Sequence, residues 1–351
     1  MASDQQTVLI SPDKLPTQSP ASLPLPVRLA EYLVQSLSQP VLMTGGTILL
    51  VLFSCFNFSG AMVPVPDAAL WDNPLEIIGL FLMFSVMPAY LSMCFIATTR
   101  AGKEIILSLQ KLDPTQRNTL INRYEHGHYW GVAVLIGMFY ALGFNVGWGS
   151  LSFNTNNPLF ATSVALVVGQ NFMWIVIAIV LYFTITDSLF LRKLGGSVNI
   201  DLYQLDQLNG FGRAGLNGLL MVAGALTLTI LQSLDFRLRW DNYFNGLIVG
   251  VPAALLIFLA PTWRIHRRIK QARAVEVQKI NARIESTSRE LDEKSLSELN
   301  ALLQRRDMVS SLRTWPLDLS LAFRFIFYVL IPPIAWTGAA LVEMVVDRFI
   351  Q

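Results

Sequence analysis

Charge in this chain falls in blocks separated by seven apolar windows that hold almost none, and this arrangement constrains the fold more than any motif. The windows lie near 41–60, 76–98, 130–149, 162–186, 214–234, 244–262 and 319–344. Each is long enough to cross about 30 Å of hydrocarbon as an α-helix. Within lipid a segment must satisfy its own backbone N–H and C=O groups, so such spans are helical. Only 14% of the residues are charged, against roughly a quarter in soluble domains. The expectation is an all-α, polytopic membrane bundle of about seven transmembrane helices.

Lys and Arg give the bundle a direction. With the N-terminus inside, 22 of them fall on the inner segments and 3 (Arg237, Arg239 and Arg348) on the outer ones, while Arg324 opens the last span. Cytoplasmic segments carry the excess of Lys and Arg. The N-terminus is therefore expected in the cytoplasm and, with an odd number of spans, the C-terminus outside. A plasma-type membrane such as a bacterial inner membrane fits this pattern. Trp130 and Trp148 bracket the third span, and Trp240 and Trp263 flank the sixth, as interfacial rings do.

Four regions follow. Residues 1–27 are polar, rich in Pro and Ser, and lack the features of a secretory signal; they predict a disordered cytoplasmic tail. Residues 28–262 carry six spans. An amphipathic stretch from Val27 to Ser38 leads into them along the membrane surface. Two interfacial helices are expected within 99–129: one on the stripe Ile105, Ile106, Leu109 and Leu112, the other starting at Asp113-Pro114. Residues 263–318 predict a cytoplasmic helical hairpin. Ile265, Ile269, Ala272, Ile280 and Ile284 mark its first arm, Leu296, Leu299, Leu302, Leu303 and Met308 its second, with a break around Glu285–Arg289. Residues 319–351 form the seventh span. There Pro332 and Pro333, both without an N–H, are expected to kink or interrupt the helix as a hinge.

The spans carry almost no ionisable side chain, whereas coupled transport and intramembrane catalysis place charge near the midplane. Polar neutral residues remain: Asn145, Gln170, Asn171 and Asn217 either line a water-filled path or hydrogen-bond between helices. Small residues recur every fourth position, as Ala133-Gly137-Ala141, Ala214-Gly218 and Gly246-Gly250-Ala254, and predict close helix packing within the chain. Two cysteines, Cys55 and Cys94, are too few for a cysteine zinc site, and their places in successive spans argue against a mutual disulfide.

All three histidines fall on the inner side. Glu125, His126 and His128 offer ligands for a divalent metal if His266 or Asp206 joins them. No other cofactor is predicted. Gly210, Gly212 and Gly215 match G-x-G-x-x-G, but Leu202, Leu205 and Leu208 before them are spaced as on a helix and no strand precedes. The glycines are instead expected to make a flexible entry into the fifth span, with Arg213 drawing an anionic headgroup. The basic turn Arg264, Arg267, Arg268 and Lys270 is also expected among anionic headgroups. A net charge of +2 gives no reason to expect a nucleic-acid partner.

Three functions fit these features. One is a passive channel or transport-related pore, homo-oligomeric and gated or assembled through the hairpin. A second is a sensor, scaffold or accessory subunit acting through another membrane protein. The third is a metal-dependent membrane enzyme using Glu125, His126 and His128. The chain shows no G-x-S-x-G, H-E-x-x-H or Walker pattern.

Overall fold

Proline marks the start of the first three helices, where its fixed φ and missing N–H suit a first turn. These are α1 (Leu25–Ser36), α2 (Pro40–Phe58) and α3 (Pro74–Gln110). Next come α4 (Trp130–Asn145), α5 (Phe160–Gly195), α6 (Asn209–Leu228), α7 (Trp240–Thr287), α8 (Glu293–Ser311) and α9 (Leu319–Ile350). The computed structural model describes residues 24–37, 39–110, 129–145, 153–196, 198, 200–233, 240–288, 293–316 and 319–350. Among the described residues there is no strand, and every regular element is helical.

Among the described residues each of the seven apolar windows overlaps a helix, the third as far as Asn145. Five helical segments are long and apolar enough to cross a membrane: Pro40–Phe58, Pro74–Thr99, Phe160–Gly195, Asn209–Gln232 and Gly246–Thr287. Trp130–Gly143 and Phe323–Gly338 are apolar but shorter.

Lipid tails are as apolar as leucine, so the bundle is held by close packing and not by a gradient of hydrophobicity. Small residues permit it. A Cβ on Gly137 of α4 would stand 2.8 Å from the Trp174 carbonyl of α5, and Ala133 and Ala141 are buried on the same face. Gly250 of α7 faces Leu226 of α6, and Gly218 of α6 faces Ile257 of α7. These ridges thus pack helix against helix within one chain. Both cysteines are free thiols.

Two cores result. The first joins Phe56, Phe81, Phe84, Leu166, Met221 and Ile257 across the bundle, and is closed at one end by the connection after α2, where Ala61 and Trp71 are buried. At that end Thr162 donates its hydroxyl to the Ala61 carbonyl at 3.0 Å. The second core lies beyond the opposite end. It gathers Leu194 from the end of α5, Val198, Leu202 and Leu205 from the crossing segment, Phe211 from α6, Ile265, Ile269 and Ile280 from α7, and Leu302 and Val309 from α8.

Several expectations change. The stripe Ile105, Ile106 and Leu109 belongs to α3 itself, which runs on to Gln110; no separate helix begins there. Residues 111–128, including Leu112, the Asp113-Pro114 start and Glu125, His126 and His128, lie outside the described residues. The stretch after Val27 does more than rest on a surface: Val27 is buried beside Phe183, so α1 docks on the bundle. Gly210, Gly212 and Gly215 are not a flexible entry but the first turns of α6, with Gly212 and Gly215 buried. A Cβ on Gly215 would stand 3.2 Å from the Phe258 carbonyl of α7, so its missing side chain lets α6 approach α7. Finally, of the kink or interruption expected at Pro332 and Pro333, the interruption does not occur, since α9 runs through both prolines. Both prolines leave a carbonyl one turn earlier without its donor, and Thr337 adds a side-chain bond to the Pro333 carbonyl at 2.8 Å.

Candidate functional site

In the half of the bundle nearer Ala61 and Trp71, the helices part around a chamber of about 290 Å³. Its walls come from α3 (Met83, Phe84, Met87), α5 (Gln170, Met173, Trp174), α6 (Met221, Ala225, Leu226) and α7 (Gly246, Val249, Gly250). Thr229 and Gln232, on the 3-10 turn Thr229–Ser233 that continues α6, complete it. The absence of side chains at Gly246 and Gly250 helps leave this volume open.

The chamber is apolar with a few polar points. Gln170 is 6% exposed, and its Oε1 is buried without a hydrogen-bond partner. Gln232 donates its Nε2–H to the Met83 thioether at 3.0 Å, and sulfur is a weak acceptor. Thr229 donates to the Leu226 carbonyl at 2.6 Å, leaving its oxygen lone pairs as acceptors. No lining residue is ionisable. The chamber can therefore bind a neutral guest and hydrogen-bond to it, but it offers no side chain that would carry a proton or balance a charge.

Of the polar span residues expected to act together, only Gln170 borders the chamber. Asn171 donates its Nδ2–H to the Val167 carbonyl of its own helix at 2.8 Å. Asn217 is half-buried on α6 away from the chamber lining. Asn145 is the last residue of α4, and its side chain lies outside those described. Sequence reasoning passed over Thr229 and Gln232 because they close a span window. The signal was present all the same: Met221, Val222, Ala225, Leu226, Thr229 and Gln232 recur at three- and four-residue spacing on one face.

The basic turn divides by role. Arg268 donates to the carbonyls of Gly196 at 2.8 Å and Val198 at 2.6 Å, and so caps the end of α5. A cation at a helix C-terminus also meets the negative end of its dipole. Arg264 lies against Gly196, where a Cβ would collide with its guanidinium. Arg267 sits over the Trp263 ring at 5.6 Å, and Arg264, Arg267 and Lys270 are exposed. Beside them His266 stacks on Trp315 with ring centroids 4.3 Å apart, and its Nδ1 lies 3.0 Å from the Thr314 carbonyl.

The two residues expected to complete a metal site each have a partner, and Glu125, His126 and His128 lie outside the described residues. His266 is engaged as above, and Asp206 pairs with Arg313 at 2.6 Å. Among the described residues no group of three His, Cys, Asp or Glu side chains converges. Comparison with protein-family models, curated proteins and solved structures finds no match.

Proposed function

We propose that the protein is a membrane-embedded sensor or accessory subunit in which the chamber is coupled to an extramembrane helical unit through α7. One observation carries this: α7 is a single helix from Trp240 to Thr287. It lines the chamber at Gly246 and Gly250 and meets α8 at Glu276, which pairs with Arg305 at 2.9 Å. Gly250 and Glu276 are thus joined by roughly 40 Å of continuous helix. A change in how the chamber is filled tilts or shifts a rigid rod, and its far end is where a partner protein would read the change.

The distribution of Lys and Arg supports seven crossings, with the second core and the α7–α8 hairpin on the cytoplasmic side of a plasma-type membrane. The two ends of the bundle support it further, since connections after α2, before α5 and after α6 meet at one end and those after α5 and around α8 at the other. Arg264, Arg267 and Lys270 would then stand at the level of anionic headgroups.

Hydrogen exchange on the reconstituted protein tests the coupling. Filling the chamber with Ala225→Phe is expected to change amide exchange within 263–311. Exchange there identical to wild type, with the variant folded, would overturn it.

A further inference from the structure

We propose that the chamber holds a neutral, hydroxyl-bearing amphiphile, its apolar chain among the methionines and its hydroxyl between the carboxamides of Gln170 and Gln232. The proposal deepens the sensor assignment and rests on the same chamber.

The lining selects against charge. An anionic or cationic headgroup brought beside Met83, Phe84, Met173 and Met221 would find no counter-ion among the lining residues. The same lining is also poorly satisfied by pure hydrocarbon. Gln170 holds an unpartnered Oε1 and Gln232 has only a thioether for its Nε2–H. A buried amide group left unpaired is costly, and an alkane tail cannot relieve it. A hydroxyl relieves both kinds of deficit, because one oxygen donates to an amide oxygen and accepts from an amide N–H. Rotation about the last torsion of each glutamine, which is soft, turns either polar atom towards the guest. Thr229 adds a further acceptor, since its own proton is directed to Leu226.

Size and adaptability agree. A cavity of about 150 Å³ seats a benzene-sized guest, so 290 Å³ takes a headgroup and the first part of a chain. Trp174, Ile177 and Leu181 border the chamber and are only half-buried, which gives the remainder of a chain a way out of the bundle. Met83, Met87, Met173 and Met221 supply unbranched, polarisable side chains that conform to chains of differing shape.

The test is photolabelling of the full-length protein in phosphatidylcholine nanodiscs. The probe is a sixteen-carbon-class straight-chain alcohol, roughly the length of a membrane acyl chain, carrying a chain diazirine and a terminal alkyne. The same chain without the hydroxyl and the same chain ending in a carboxylate serve as comparisons. In wild type the alcohol should label peptides containing Met83, Met173 or Met221, excess unlabelled alcohol should compete, and the hydrocarbon should label roughly five- to tenfold less. Gln170→Leu should bring the alcohol down to the hydrocarbon level, and Ala225→Phe should remove labelling of these peptides. Equal labelling by alcohol and hydrocarbon in wild type, no competition, or stronger labelling by the carboxylate would each overturn the proposal, and none of these needs a variant to fold. Exchange within 263–311, followed in the same samples, separates the two claims. Competed alcohol labelling without an exchange change upholds the ligand and removes the coupling; an exchange change in Ala225→Phe without alcohol labelling does the reverse.

Discussion

The hydroxyl of Tyr90 on α3 donates to the carbonyl of Leu220 on α6 at 2.8 Å, across a notch left by the missing side chain of Gly224. A Cβ at Gly224 would collide with the Tyr90 ring, so the two positions form one device that fixes α6 against α3. Removing the hydroxyl with Tyr90→Phe should destabilise the protein by about 1 kcal/mol, the usual value for a hydrogen bond between membrane helices. Gly224→Ala should cost more, because the ring must move as well. In a Tyr90→Ala background the Gly224→Ala cost should largely vanish. Denaturation in mixed micelles provides the measurement for this double-mutant cycle.

Arg268 and Arg267 are neighbours in sequence with different surroundings. Arg268→Ala removes a charged donor from the carbonyls of Gly196 and Val198 and should destabilise by about 1.5–3 kcal/mol in any lipid. Arg267→Ala leaves those carbonyls capped. Its expected effect is weaker binding of anionic lipid with little loss of stability, checked by comparing phosphatidylglycerol with phosphatidylcholine vesicles at low and high salt.

The second core predicts a cost where the apolar bundle would not. Ile269 is 1% exposed and Ile280 3%, within a cluster completed by Leu302 and Val309 of α8. Ile269→Ala should cost about 2–5 kcal/mol, as for other large-to-small core changes. Limited proteolysis should then cut first within 263–311 while the bundle stays intact.

The Asp206–Arg313 pair ties the crossing segment before α6 to the connection after α8. Asp206 is largely exposed, so solvent screening keeps the pair weak. Asp206→Asn should change the midpoint of thermal unfolding by only a degree or two for a chain of this size, and still less in high salt, as followed by circular dichroism.

Helix positions were legible because the lipid requirement is written into residue type: among the described residues every apolar window overlaps a helix. The small-residue ridges were legible for the same reason, since Gly137 and Gly250 act through a missing side chain whatever the partner. Arrangement in space was much less legible. Whether Gln170 borders a chamber depends on how α3, α5, α6 and α7 are set around it, and one helix's periodicity contains no such information. The glycines 210–215 suggested flexibility when viewed locally, yet they lie in the first turns of α6, where Gly215 packs on Phe258 of α7 and tertiary packing overrides a weak propensity. Arg268 looked like its neighbours until the end of α5 came into view.

The helix α7 runs unbroken from the chamber to its contact with α8, through Pro252 and Pro261. Double electron–electron resonance between spin labels at Leu255 and Arg283, both exposed, tests it directly once Cys55 and Cys94 have been replaced. One narrow distance distribution at about 40 Å is expected, set by the helical rise. A broad distribution, or a dominant shorter distance from a helix broken near Pro261, would contradict it.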